Sequence, residues 1–170
     1  MKKLIAYIAL SFAAITSYAT TPLWMRDVQI SPDGTEIVFC YKGDLYKVPA
    51  KGGTATQLTT QDSYECTPIW SPDGKQIAFA SDRNGNFDIF IMSANGGTAQ
   101  RLTTHSATEL PSTFTPDGKY ILSSASIQDP ASSALFPSAA MTELYKVPSV
   151  GGRTEQVLAT PAEAVCFDKS

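Results

Sequence analysis

The chain of 170 residues holds one histidine, three cysteines and no run of basic residues. Each scarcity excludes something. Without a basic patch there is no electrostatic footprint for nucleic acid, so none is expected as a partner. Cys40, Cys66 and Cys166 are an odd set at spacings that match no zinc pattern, so neither a full disulfide framework nor a metal centre is expected. They read as structural thiols; a Cys66–Cys166 bridge in an oxidising compartment stays open. The single histidine, His105, lies beside Ser106, but nothing in the sequence supplies an orienting acid for it. No G-x-S-x-G motif occurs, and no glycine-rich loop leads from a strand into a helix. No catalytic residue, cofactor site or firm metal site is expected.

What is present begins with an address. Met1-Lys2-Lys3 is a short basic start, residues 4–15 are apolar, and Ser17-Tyr18-Ala19 offers small residues to a signal peptidase. This reads as a secretory signal peptide cleaved after Ala19, too short to serve comfortably as a membrane span. No cysteine stands directly after the cleavage point, so no lipid anchor is expected, nor any membrane association of the mature chain. Loss of Lys2 and Lys3 takes the formal charge from −3 to −5. The expected location is periplasmic or secreted.

The rest is a repeat. Ser31-Pro32-Asp33-Gly34 returns as Ser71-Pro72-Asp73-Gly74 and as Thr115-Pro116-Asp117-Gly118. Proline presets φ, aspartate accepts the tight third place and glycine closes the turn, between apolar runs that read as strands. Downstream of each turn stands an acid–apolar–aromatic triplet: Asp44-Leu45-Tyr46, Asp88-Ile89-Phe90 and Glu143-Leu144-Tyr145. Then come the pairs Gly52-Gly53, Gly96-Gly97 and Gly151-Gly152, followed by Leu58-Thr59-Thr60, Leu102-Thr103-Thr104 and Leu158-Ala159-Thr160. A period near 40 residues with four short strands per unit is the mark of a β-propeller blade.

The expected architecture is therefore all-β. Three four-stranded antiparallel blades are placed at about residues 23–60, 68–104 and 112–160 of a propeller region spanning 20–170. A fourth begins near 165, where Phe167 aligns with Trp70 and Phe114. The first strands of blades two and three are placed at residues 68–71 and 113–115. Propellers have about four to eight blades, so the sequence reads as an incomplete propeller, a fragment of something longer. Ile77-Ala78-Phe79-Ala80 does not alternate, which predicts a sheet covered on both faces. Phe39 and Phe79 are matched in the third blade by Ser123, an anomaly in a core position.

The turns of one face are nearly invariant; the loops of the other are not. From turn aspartate to triplet acid is 11 residues in blade one, 15 in blade two and 26 in blade three. Variable loops on a rigid scaffold are where a peptide or protein partner is expected. The longest, residues 127–141, carries Leu135-Phe136 in its middle and is either a solvated loop or a packed contact segment. Asp82, Asn84, Asn86 and Asp88 place oxygens at alternate positions, a calcium-loop rhythm, but Asn84-Gly85 is above all a hairpin signal and the site is a weak candidate. The turn aspartates read as turn formers, and Asp44, Asp88 and Glu143 as a repeated structural feature.

The run from Ile69 to Phe79, with Trp70-Ser71-Pro72-Asp73-Gly74, and the segment Gly96-Gly97-Thr98-Ala99-Gln100-Arg101-Leu102-Thr103 resemble the WD40-like repeats of TolB-type propellers. The signal-led start, Trp24 near the mature N-terminus, Asp44-Leu45-Tyr46-Lys47-Val48, and the long insert before Leu144-Tyr145-Lys146-Val147 are similar to the N-terminal propeller of tricorn-type secreted serine peptidases. That resemblance implies a non-catalytic segment that gates or binds peptides. It also implies two partners, the remainder of the propeller and a C-terminal serine peptidase domain carrying the proteolytic activity. A TolB-like periplasmic binding scaffold and the propeller lid of a prolyl-oligopeptidase-like enzyme are the alternatives.

Overall fold

The computed structural model describes residues 24–127, 142–158, 162 and 165–167. Within them are twelve strands and no helix. β1 (Arg26–Ile30), β2 (Glu36–Tyr41), β3 (Asp44–Pro49) and β4 (Thr56–Gln57) form one antiparallel sheet in chain order. β5 (Glu65–Trp70), β6 (Gln76–Ser81), β7 (Asp88–Ser93) and β8 (Gln100–Arg101) form the second. β9 (Glu109–Phe114), β10 (Tyr120–Ala125), β11 (Glu143–Pro148) and β12 (Glu155–Leu158) form the third. The first sheet packs on the second through β5 and the second on the third through β9, an open row of blades. This is the all-β, incomplete propeller that the repeat predicts.

The hairpin turn is built alike three times. Gly34 N donates to Ser31 O at 2.9 Å, Ser31 Oγ donates to Asp33 Oδ1 at 2.6 Å, and Thr35 N donates to the same oxygen at 3.0 Å. Asp73 and Asp117 accept the same pair of bonds from Ser71 and Lys75 and from Thr115 and Lys119. Gly34, Gly74 and Gly118 sit at φ of +74°, +69° and +71°, a conformation a side chain would strain. Those donated bonds hold the Asp33 carboxyl down to about 2 and lower Asp73 and Asp117 as well. These aspartates are structural.

The second sheet explains the failed alternation of β6. Ile77 and Phe79, with Phe90 and Met92, join Val38, Cys40, Leu45 and Trp70 in a core between blades one and two. Ala78, Ile89 and Ile91 face Phe114, Ile121 and Val147 in a core between blades two and three. Complete burial of one such large apolar side chain contributes about 1.5–3 kcal/mol. Trp70 also donates its indole N–H to the Gln29 carbonyl at 3.3 Å, tying the blades together.

The outer strands of the first two blades are shorter than the expected residues 55–59 and 99–103, because side chains take over their ladder, while that of the third runs over the expected Glu155–Leu158. In the first two blades the middle threonine of Leu-Thr-Thr offers its hydroxyl to the backbone. Leu45 N donates to Thr59 Oγ1 and Ile89 N to Thr103 Oγ1, each at 2.9 Å.

The inner strands are longer than expected. β5 and β9 begin at Glu65 and Glu109, and each carries a bulge, between Cys66 and Ile69 in the one and opposite Leu122 and Ser123 in the other. Pro68 and Pro111 hid that extension, since proline in a run argues against a regular ladder; a bulge is where it is tolerated. Ser123 is fully buried opposite Tyr145, and its hydroxyl has no hydrogen-bond partner. The corresponding Phe39–Tyr46 and Phe79–Phe90 pairs stack at 5.9 Å. Val165, Cys166 and Phe167 carry no strand. The leader with Ala19 and the insert beyond Ile127 lie outside the described residues.

Candidate functional site

The extended inner strands bring acids together. β3 starts at Asp44 and β7 at Asp88; β5 starts at Glu65 and β9 at Glu109. These starts lie on the variable-loop face. Each blade junction thus joins the triplet acid of one blade to the first-strand glutamate of the next. Glu65, Asp88 and Glu109 are fully buried. Burying a carboxylate costs heavily unless it is paired, so the partners decide what each junction can do.

At the first junction both acids have donors, although Glu65 Oε2 is buried without one. Glu65 Oε1 accepts from Ser63 Oγ at 2.5 Å, Ser81 Oγ at 3.0 Å and Arg83 Nη2 at 3.0 Å. Arg83 also donates Nε to Ser81 Oγ at 2.9 Å, and its guanidinium lies 4.4 Å from the Phe90 ring centroid. Asp44 accepts from Gln57 Nε2 at 2.9 Å and from Thr59 Oγ1 at 3.3 Å. Burial raises its pKa, with the charge of Glu65 adding to the rise.

The second junction is built on the same register and is not satisfied. Glu109 pairs with Ala125 in the ladder as Glu65 pairs with Ser81. Where the second blade has Ser63, Ser81 and Arg83, the third has Ala107, Ala125 and Ile127. All three donors are gone. Neither oxygen of Glu109 has an aligned hydrogen-bond donor. Burial pushes its pKa up; the Thr103 hydroxyl, a nearby donor out of line with the carboxyl, lowers it, the Asp88 charge raises it, and the charge and the backbone N–H of His105 lower it. Asp88 is raised by burial too, against Arg101, whose Nη2 lies 2.7 Å from Asp88 Oδ2 as an ion pair without hydrogen-bond alignment.

Glu109 lines an open cleft of about 430 Å³ with Thr103, His105, Ile127, Tyr145 and Arg153. The matching cleft at the first junction, about 400 Å³, has Arg83 in its wall where the second has Ile127. His105 is exposed, and its Nδ1 accepts from Ala107 N at 3.0 Å.

The other expected residues separate. Asp82 accepts from Tyr64 N at 2.7 Å, Asn86 donates to the carbonyls of His105 and Ala107 at 2.9 Å, and Asp88 faces Arg101. Asn84 is exposed. Among the described residues no group of three or more His, Cys, Asp or Glu could hold a metal ion. Cys40, Cys66 and Cys166 are free thiols. Cys40 is buried, and burial raises it; Cys66 is pushed up to about 11, again mainly by burial; Cys166 is exposed, so core packing does not account for it.

The sequence reading missed the two glutamates, although a signal existed: each stands eight residues before its turn aspartate, Glu65 before Asp73 and Glu109 before Asp117.

Comparison with known proteins places this arrangement. The family model of the tricorn protease N-terminal β-propeller domain matches residues 22–170. An uncharacterised peptidase, YuxL, of Bacillus subtilis is 32% identical over 96 residues, covering 51% of this chain and 13% of the relative. Dipeptidyl-peptidase 5 of Porphyromonas gingivalis is 29% identical over 75 residues, covering 38% of this chain and 11% of the relative. The chain thus spans only a small part of the curated relatives it matches. Among solved structures, a TolB from Agrobacterium tumefaciens superposes with a TM-score of 0.64 at 27% identity, over 79% of this chain and 46% of that one. The tricorn protease superposes with a TM-score of 0.69 at 22% identity, over 88% and 15%, a likeness of fold.

Proposed function

The chain belongs to the tricorn protease N-terminal β-propeller family, and from that premise we propose that it is the non-catalytic, peptide-binding segment of a secreted serine peptidase. In this reading the variable-loop face admits or holds peptides while a separate peptidase domain cleaves them. The observation that carries it is the second blade junction. A scaffold of nearly invariant turns carries there an open cleft with a buried carboxylate that has no aligned hydrogen-bond donor among the described residues. Remote binding groups of this kind position a substrate for chemistry elsewhere.

The remaining blades of the ring would cover the exposed row Val28 and Ile30 on β1, more than half of whose surfaces face solvent. The leader ending at Ala19 supports export to the periplasm or beyond. The likeness to TolB favours a second reading, a scaffold that docks a folded protein on the same face.

The test is to pass a mixed peptide pool over the immobilised chain and identify what is retained and whether it is cut. Retention of intact peptides is expected. Cleavage of the pool would overturn the non-catalytic role. Passage of every peptide, with retention of a folded protein instead, would favour the scaffold.

A further inference from the structure

We propose that the cleft at the second blade junction is a binding site for the guanidinium group of an arginyl side chain, with Glu109 as its anion and the Tyr145 ring beside it. This deepens the peptide-binding reading and rests on it for the nature of the molecule that carries the group.

The first junction shows what the socket is for. There a guanidinium sits between a buried glutamate and an aromatic ring: Arg83 bonds Glu65 at 3.0 Å and lies 4.4 Å from the Phe90 centroid. The second junction keeps the receiving parts. Glu109 replaces Glu65 in the same ladder position, and Tyr145, which pairs with Ser123 as Phe90 pairs with Phe79, replaces Phe90. The arginine is missing, replaced by Ile127, as are the two serine hydroxyls, and the cleft present at both junctions is lined here by Glu109, Ile127 and Tyr145. A buried carboxylate with neither oxygen bonded is costly to keep, and a fork of N–H donors is the group that satisfies it. Guanidinium is weakly hydrated and stacks on aromatic faces, so it enters such a site more readily than an ammonium.

The charge agrees. Asp88 and Glu109 share this junction with Arg101, already paired to Asp88. His105 and Arg153 stand exposed along the cleft and neither forms an ion pair with Glu109, so a guanidinium brought to the carboxylate would be its first direct partner charge. The chain offers no substitute from its longest loop, since residues 128–141 contain neither Lys nor Arg.

The experiment is calorimetric titration of the purified chain with N-acetyl-arginine amide and with N-acetyl-citrulline amide, which has the same shape without the charge. The arginine probe is expected to bind at least about tenfold more tightly than the citrulline probe, the margin of one charge-assisted hydrogen-bonded pair. Glu109→Gln should abolish that margin. Ile127→Arg should fill the socket from within, abolishing binding and raising the thermal midpoint; Arg153→Ala, which removes a like charge from the lining, should improve affinity. Equal affinity for the two probes, no binding of the arginine probe, or a margin that survives Glu109→Gln would overturn the proposal. Loss of the thermal midpoint in Arg153→Ala would overturn it too, by identifying Arg153 as the internal partner. The probe comparison needs no variant, so a poorly folding substitution does not blunt it. Peptide retention without arginine preference sinks this inference and leaves the peptide-binding reading standing. Binding of the arginine probe with no retention of peptides does the reverse.

Discussion

Glu65 and Glu109 occupy the same place in successive blades, each at the start of an inner strand and each fully buried. One is held by two serine hydroxyls and a guanidinium; the other faces an alanine, an alanine and an isoleucine at the matching positions. The difference teaches where a repeat protein keeps its chemistry. Turn, ladder and core are copied because every blade needs them. The polar shell of a buried acid is free to drift once something else satisfies the acid. Glu109 without its shell is the kind of local inconsistency that marks a functional position.

Breaking the satisfied junction should have the largest effect. Arg83→Ala leaves Glu65 with a buried charge and only the serine hydroxyls, and is expected to destabilise by about 3 kcal/mol in chemical denaturation. If the two junctions are as unequal as described, no substitution at Ile127 comparable in size should cost as much. Ser123→Phe restores the ring that blades one and two stack on Tyr46 and Phe90. It removes an unbonded buried hydroxyl, and should stabilise by about 2–3 kcal/mol. A lower melting temperature would show that the third blade has closed up around serine.

The two glutamates themselves should answer with opposite signs. Glu65→Gln should destabilise by weakening the Arg83 pair. Glu109→Gln should stabilise at neutral pH by about 1–2 kcal/mol, by removing a buried charge without a donor. The pH dependence sharpens this. The folded pKa of Glu109 lies above its ordinary 4.5. Below 4.5 the group is protonated in both states and costs nothing through ionisation. As pH rises from there toward the raised folded value, the unfolded chain gives up its proton first and stability falls. The advantage of Glu109→Gln over the wild type should therefore grow across that window and then level off.

The smallest effect belongs to the turns. Asp33 has its folded pKa depressed to about 2. Its contribution is present above the ordinary 3.8 and is lost only as pH falls through that low value, so Asp33→Asn should flatten the acid limb of the stability curve slightly.

How much of this the amino-acid order revealed follows from what each residue does. The Pro-Asp-Gly turns and the Gly-Gly pairs act locally, and local chemistry is legible in a string. The unbroken Ile77-Ala78-Phe79-Ala80 run announced two covered faces, because apolar residues at successive strand positions have no other use. Glu65 and Glu109 were not legible. Each sits just before a proline at a bulge, where a polar residue reads as loop, and its burial depends on a neighbouring blade. The pattern of lost donors is visible only after strand register aligns Ser63, Ser81 and Arg83 with Ala107, Ala125 and Ile127.

The most direct measurement is the carboxyl titration of Glu109, followed by side-chain ¹³C resonance across the acid and neutral range. A folded-state pKa above 4.5 is what an unpaired buried carboxyl must show. A value at or below 4.5 would mean that Glu109 is charged and held by donors, and the contrast between the junctions would be gone.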